Sequence, residues 1–143
     1  MLAYAARPLC NLYSIRKGRA AILDLARAMR NDAGCMEPGS IWPDYTAPIV
    51  RTDTKGDRTL TSVRWEMPSP AISLEGNKMD KGVTNIRNTR SPPWRRWPKP
   101  ENRCLAPLTS FSEPGRDATA NMSPICFRLN GGDLEPEAFF AGI

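Results

Sequence analysis

The sequence predicts a single α+β domain with few helices and many loops. The chain has 143 residues, a length that suits one domain with one core. Its 14 prolines and 10 glycines favour turns over long helices, and its hydrophobic content of 41% is slightly below the globular average. One stretch has helical periodicity, whereas several short apolar stretches between turn residues are typical of strands.

The predicted helix covers residues 18–30. Its apolar side chains recur at helical spacing at Ile22, Leu25, Ala26 and Met29. Ser14 is a candidate cap near its start, and Asn-Asp-Ala-Gly at 31–34 supplies a stop signal. The pattern is therefore that of an amphipathic helix.

The strands are predicted from turn signals and short apolar runs. After a loop at 35–46, residues 47–52 and 59–65 flank the turn sequence Asp-Thr-Lys-Gly-Asp at 53–57 and predict a hairpin. Residues 66–102 have the composition of long surface loops, where functional side chains concentrate. Buried strands are predicted at 104–105 and 125–129 and a final strand at 138–141, with a polar excursion at 113–122.

Composition also excludes several classes of site. The chain has no histidine, and its cysteines at 10, 35, 104 and 126 lack a C-x-x-C spacing. A zinc ribbon, a Cys-His protease and a Ser-His-Asp triad are therefore disfavoured, and we expect neither a metal nor a cofactor. No apolar run is long enough to span a membrane, and residues 1–9 are too short for a signal peptide. We expect a reduced, cytoplasmic monomer that has no contact with a membrane.

Tryptophans alternate with cations in the middle of the chain. Trp65, Trp94 and Trp97 lie among Arg64, Arg87, Arg90, Arg95, Arg96, Lys99 and Arg103, and the net charge of the chain is +5. This pattern suits single-stranded DNA, because cations bind phosphates and rings stack on unpaired bases. The alternative is that the tryptophans anchor the core, as at least one of them should, and the arginines form a solvated rim.

Several sequence blocks resemble one known family. The first is Leu-Cys-Asn-Leu-Tyr-Ser at 9–14. The others are Pro-Asp-Tyr at 43–45, Ala-Pro-Ile-Val-Arg at 47–51, Val-Arg-Trp at 63–65 with Met67 and Pro68, Thr-Asn-Ile-Arg-Asn at 84–88, Ser-Pro-Pro-Trp-Arg-Arg-Trp at 91–97, Arg-Cys-Leu-Ala-Pro at 103–107 and Thr-Ser-Phe-Ser-Glu-Pro at 109–114. In this order they resemble the SOS-response-associated peptidase (SRAP) family, whose members process abasic sites in DNA.

The resemblance implies a reactive amino-terminal cysteine at Cys10. An amino-terminal cysteine is a 1,2-aminothiol, whose amine condenses with an aldehyde and whose thiolate then closes a thiazolidine ring. Residues 1–9 precede Cys10 here, so its nitrogen is an amide as written. We therefore interpret residues 1–9 as a leader that is either a misassigned start or removed, and residues 10–143 as the domain.

The resemblance also implies roles for three further residues and a fold. Asn85 would orient the sugar, Arg87 would hold phosphate, and Glu113 would assist proton transfer during ring closure. From the residues alone, Asn85 could instead form an Asx-turn, Arg87 a solvated charge and Glu113 a turn carboxylate before proline. The implied fold is α+β with an antiparallel, barrel-like core, flanking helices and long loops.

This chain departs from the family at two points. The family continues into a second half with a histidine used in its hydrolase or lyase chemistry. We therefore expect this chain, which has no histidine, to be the amino-terminal part of the domain. Glu66 stands where the family commonly has glycine, and a carboxylate there would crowd or repel the DNA backbone.

Three functions follow from these observations. The first is an abasic-site processing protein that binds single-stranded DNA and forms a covalent crosslink through Cys10. The second is a cysteine autopeptidase that removes its own leader and has no DNA substrate, and the third is a DNA-binding remnant without catalysis. Cys35, Cys104 and Cys126 are expected to be structural and inert.

Overall fold

Strands dominate the secondary structure. The computed structural model describes residues 12–34, 36–76, 80, 82–116, 118–130 and 137–143. The elements there are β1 (Leu12–Ile15), α1 (Arg19–Ala26), β2 (Arg30–Asn31), β3 (Gly39–Ile41), β4 (Thr46–Thr52), β5 (Arg58–Arg64), α2 (Ala71–Leu74), β6 (Cys104–Leu108), β7 (Ser110–Arg116), β8 (Met122–Arg128) and β9 (Ala138–Gly142), with a 3-10 helix at Pro100–Asn102. This mostly β arrangement with one helix of more than a turn is compatible with the predicted α+β class.

The strands form two sheets. One has four strands in the order β3-β1-β7-β8, all antiparallel, and the other has five in the order β2-β5-β4-β6-β9. In the second sheet only the short β2 runs parallel to its neighbour, β5. Over the described residues the two sheets remain separate, and the strands do not close into a barrel.

Thr109 connects the two sheets. It lies between β6 of the five-stranded sheet and β7 of the four-stranded sheet, and it is buried. Its amide and its Oγ1 both donate to the carbonyl oxygen of Ser14 in β1, at 2.8 and 2.9 Å. Two hydrogen bonds to one carbonyl hold the corner at which the chain leaves one sheet and enters the other.

The hydrophobic core lies where the two sheets and α1 meet. Its buried members are Tyr13, Ile15, Ile22, Ala26, Ala47, Val50, Leu60 and Leu108. An aromatic cluster extends it, because the ring of Phe140 in β9 packs edge-on against Phe111 of β7 at 5.3 Å. Contacts between side chains of both sheets therefore make one core rather than two.

The β4–β5 hairpin has the predicted position. Its strands pair from Thr46 opposite Arg64 to Thr52 opposite Arg58. The carboxylate of Asp53 accepts the amides of Lys55 and Asp57, at 2.8 and 3.0 Å, which closes the turn.

The predicted helix is too long. It ends at Ala26, and Arg27 follows in the left-handed conformation with φ of 51°. Leu25 is 50% exposed and Met29 72% exposed, so neither joins the core. The predicted cap, Ser14, lies in β1 instead, and Gly18 is the N-cap residue, without a side-chain hydrogen bond.

Pairing with β5 explains the early end of α1. Arg58 donates from Nη1 to the carbonyl of Ala26 at 2.7 Å, and its own carbonyl accepts the amide of Met29 at 2.9 Å. The next residues, β2, pair in parallel with β5. Residues after Ala26 thus gain sheet hydrogen bonds that a longer helix would forgo.

Three other expectations about strands were wrong. Residues 39–41, predicted as loop, form β3 and pair with β1. Residues 113–116, predicted as a polar excursion, belong to β7, which pairs along its whole length with β8. Residues 125–128 of the strand predicted at 125–129 belong to β8. It is an edge strand, and Ile125 and Phe127 are more than two fifths exposed rather than buried.

Candidate nucleic-acid interface

Residues 87–103, here called the basic segment, concentrate the positive charge of the protein. They contain six basic residues and one acidic residue, Glu101, so their net charge equals the +5 of the whole chain. All six cations are exposed, at positions Arg87, Arg90, Arg95, Arg96, Lys99 and Arg103. One segment therefore generates the positive potential that attracts a polyanion.

The basic segment is folded by successive turns. The amide of Trp94 donates to the carbonyl of Ser91 at 2.9 Å, and the amide of Trp97 donates to the carbonyl of Trp94 at 3.0 Å. The Nε of Arg95 donates to the carbonyl of Arg90 at 2.6 Å. Since this bond uses only Nε, the two terminal nitrogens of Arg95 remain to bind an anion. The turns thus present cations and tryptophan rings from a defined backbone.

A groove of about 390 Å³ lies between the basic segment and the chain that follows β5. Residues 67–71 form one wall, and the other wall consists of Pro92, Pro93, Trp94, Arg96 and Trp97. We call this feature the tryptophan groove. Both tryptophans are half-buried, and the guanidinium carbon of Arg96 lies 4.8 Å from the centroid of the Trp97 ring. This cation–π contact holds a positive charge beside an aromatic face.

The wall at 67–71 is held by hydrogen bonds across its own loop. Met67 and Val83 exchange backbone hydrogen bonds of 3.0 and 2.8 Å. The carboxylate of Asp80 accepts the amide of Ser69 at 3.1 Å and the amide of Gly82 at 2.8 Å. A hydrogen bond from the Ser69 side chain, together with the amides of Gly82 and Ser69, lowers the pKa of the Asp80 carboxyl, because these bonds favour its charged form.

Arg64 is held by two carboxylates. Its Nε lies 2.6 Å from Oδ1 of Asp44, and its Nη2 lies 3.7 Å from Oε2 of Glu66. The side chain of Glu66 is only 7% exposed. It lies so close to Gly82 that a Cβ atom at position 82 would collide with the Glu66 side chain. Glu66 therefore faces the protein rather than solvent, and any phosphate that binds Arg64 competes with these carboxylates.

Trp65 packs against the core. Its ring meets the buried ring of Tyr13 edge-on, with centroids 4.9 Å apart. Its amide donates to the carbonyl of Tyr45 at 2.9 Å, which ties the end of β5 to the loop before β4. Trp65 is half-buried, so it has an anchoring role whether or not a base also contacts it.

The residues assigned to the chemistry are distributed over different elements. Asn85 and Arg87 are exposed, in the loop after the Met67–Val83 bridge. Glu113 is half-buried in β7, opposite Ile125 of β8, and not in a turn. Cys10, with residues 1–9, lies outside the described residues, and so does Cys35.

The two described cysteines differ in exposure. Cys104 is half-buried in β6, and burial raises the pKa of its thiol. This favours the unreactive thiol form, in line with the structural role expected for it. Cys126 is exposed on β8, so the expectation that it lies in a buried strand was wrong.

Sequence reasoning found one wall of the tryptophan groove and missed the other. Trp94, Arg96 and Trp97 were predicted to bind DNA. Residues 67–71 were predicted only as part of the surface loop 66–102, with Met67 and Pro68 also in a block that resembles the family. A sequence signal was present, because prolines at 68, 70, 92 and 93 restrict the backbone of two segments. Nothing in the sequence indicates that these segments face each other.

Among the described residues, no helix is long and apolar enough to cross a membrane. No protein-family model matches the chain. No curated protein matches it either. A crystal structure of a protein from Bordetella bronchiseptica, solved by the Northeast Structural Genomics Consortium, is similar with a TM-score of 0.65 and 20% sequence identity. The similarity covers 92% of this chain and 62% of that one, and at this identity it shows the fold alone.

Proposed function

We propose that this protein binds single-stranded DNA through the basic segment and captures the aldehyde of an abasic site on Cys10. The observation that carries the proposal is the basic segment itself, which contains six exposed cations and two half-buried tryptophans. The proposal includes the finer fold assignment, an SRAP-like domain with a barrel-like core. It also includes action as a monomer in the cytoplasm, where thiols stay reduced.

Charge and stacking together favour a single strand over a duplex. Exposed guanidinium groups bind phosphates without regard to sequence, and tryptophan rings stack on bases that are unpaired. In a duplex the faces of the bases are already stacked on each other, so the rings would have nothing to contact. Arg87, Arg95 and Arg96 are the strongest candidates for phosphate contacts, whereas Arg64 must first leave Asp44 and Glu66.

The covalent step needs Cys10 as the first residue of the chain. Its amine attacks the aldehyde carbon of the open-chain deoxyribose and forms an imine, with loss of water. The Cys10 thiolate then adds to the imine carbon, and the nitrogen takes up a proton, which completes the thiazolidine ring. No oxidant or reductant is required. Residues 1–9 must be absent, because an amide nitrogen cannot form the imine.

Asn85, Arg87 and Glu113 have the roles that the family resemblance implies. The Asn85 amide both donates and accepts hydrogen bonds and would orient the sugar, while Arg87 would hold the neighbouring phosphate. Glu113 would carry the proton released in one step and required in the next. Asn85 and Arg87 are exposed, so both side chains are accessible to a strand of DNA at the basic segment. Glu113 is half-buried.

The test is incubation of the protein, with Cys10 at its amino terminus, with a single-stranded oligonucleotide that contains one abasic site. We expect a protein–DNA product that survives heating in denaturant. Self-cleavage without a DNA product would support the autopeptidase instead. Reversible binding without a crosslink would leave only the DNA-binding remnant.

A further inference from the structure

We infer that the tryptophan groove binds one unpaired DNA base and that Arg96 binds the phosphate of the adjacent nucleotide. The inference rests on the proposed function for the identity of its ligand, DNA. It adds a defined subsite whose lining includes none of the residues assigned to the covalent step. The structure supports it through the size and lining of the groove, the charge of Arg96 in that lining and the hydrogen bonds that hold one wall.

The shape of the groove suits a flat, apolar group. Trp94 and Trp97 provide aromatic surface on one wall, and Met67, Pro68 and Pro70 provide apolar surface on the other. Its volume of about 390 Å³ is near the lower end of the range for small-molecule pockets, which is roughly 300–1,000 Å³. A single base with its sugar is of this scale, whereas a duplex is not.

The positive charge in the groove lining selects the occupant. Arg96 lines the groove and stays beside the Trp97 ring, and Arg95 next to it is exposed. A nucleotide combines an anionic phosphate with a flat ring, so it satisfies the cation and the aromatic wall together. A proline-rich peptide would use the aromatic surface but would leave the charge of the basic segment without a partner.

Asp80 acts as a positioning residue for this subsite. It does not line the groove, but its carboxylate holds the amides of Ser69 and Gly82, and Ser69 belongs to the groove wall. Loss of the carboxylate would release two amides and let the wall move away from the tryptophans. The base contact should therefore depend on Asp80, while phosphate contacts should not.

The experiment measures binding of the full chain to undamaged single-stranded oligonucleotides in which a baseless tetrahydrofuran spacer replaces one nucleotide at a time. At one position in the strand the spacer should weaken binding about tenfold, which corresponds to about 1.4 kcal/mol. Trp94→Ala should weaken binding to the parent oligonucleotide by a similar factor. With the spacer at that position, Trp94→Ala should cause no further loss, because both changes remove one contact.

Matched variants separate this contact from a general loss of structure. Trp94→Phe retains a flat ring and should keep most of the affinity, and Trp42→Ala, which removes a partly exposed tryptophan outside the groove lining, should not change it. Asp80→Ala should weaken binding to the parent oligonucleotide but not to the spacer oligonucleotide. Asp80→Asn keeps one acceptor oxygen and should therefore retain part of the affinity for the parent oligonucleotide that Asp80→Ala loses.

Two results would overturn the inference. One is DNA binding that is equally strong for every spacer position and for Trp94→Ala. The other is a proline-rich peptide that fills the groove while DNA stays bound. Failure of the covalent step in the proposed function has a different signature, since DNA would then bind with the spacer effect intact but an abasic oligonucleotide would form no crosslink.

Discussion

Removal of Arg95 and Arg96 together should flatten the salt dependence of DNA binding. The basic segment has six cations, and each phosphate contact on a single strand contributes about 0.7 to the slope of log K against log salt. If all six cations bind phosphates, the slope is about −4, and the double alanine variant should reduce its magnitude by about 1.4. Both side chains are exposed and neither belongs to the hydrophobic core, so their loss should leave the core intact.

The assay is fluorescence anisotropy with a short labelled oligothymidylate at a series of salt concentrations. Lys55→Ala is the matched control, because Lys55 lies in the exposed turn between β4 and β5 and outside the basic segment. We expect this variant to keep the parent slope. An unchanged slope in the double variant, or an equal reduction in Lys55→Ala, would refute the assignment of phosphate contacts to the basic segment.

Three further predictions concern the fold and the cysteines. Leu60→Ala should destabilise the protein by about 2–5 kcal/mol in urea unfolding, because Leu60 is fully buried. Val63→Ala, at a partly exposed site of the same strand, should cost far less, and equal losses of stability would contradict the core described above. Thr109→Val should lower the stability in urea unfolding by about 1 kcal/mol, since the Ser14 carbonyl loses one hydrogen-bond donor. An unchanged stability would mean that the corner does not depend on this hydroxyl. Iodoacetamide should alkylate exposed Cys126 before Cys104, because the raised pKa of the Cys104 thiol leaves a smaller fraction of it ionised at a given pH. The reverse order, measured by mass spectrometry, would contradict the burial of Cys104.

Local signals predicted the elements that local interactions build. The β4–β5 hairpin was predictable because Asp53 closes its turn through hydrogen bonds to residues two and four positions away. Short apolar runs predicted strands at 104–105 and 138–141. In the structure these extend into β6 and β9, which pair with each other. The position of the basic segment was likewise visible, since it depends on composition alone.

Long-range contacts account for what the sequence did not predict. Helical periodicity continues to Met29, but Arg58 binds the carbonyl of Ala26 from 32 residues away and ends the helix first. Glu113 reads as a turn residue before a proline, yet pairing of β7 with β8 makes it part of a strand. The tryptophan groove needs residues 67–71 to face residues 92–97, and that placement follows from tertiary structure.

The most direct test of the central claim compares two forms of the protein, one that begins at Cys10 and one that retains residues 1–9. Each is incubated with the same single-stranded abasic oligonucleotide, and the heat-stable crosslink is followed over time by denaturing electrophoresis and intact mass. We predict that only the form that begins at Cys10 accumulates the crosslink, with a mass equal to protein plus DNA minus one water. Equal rates for the two forms would contradict the thiazolidine mechanism, because the longer form has no α-amine at Cys10.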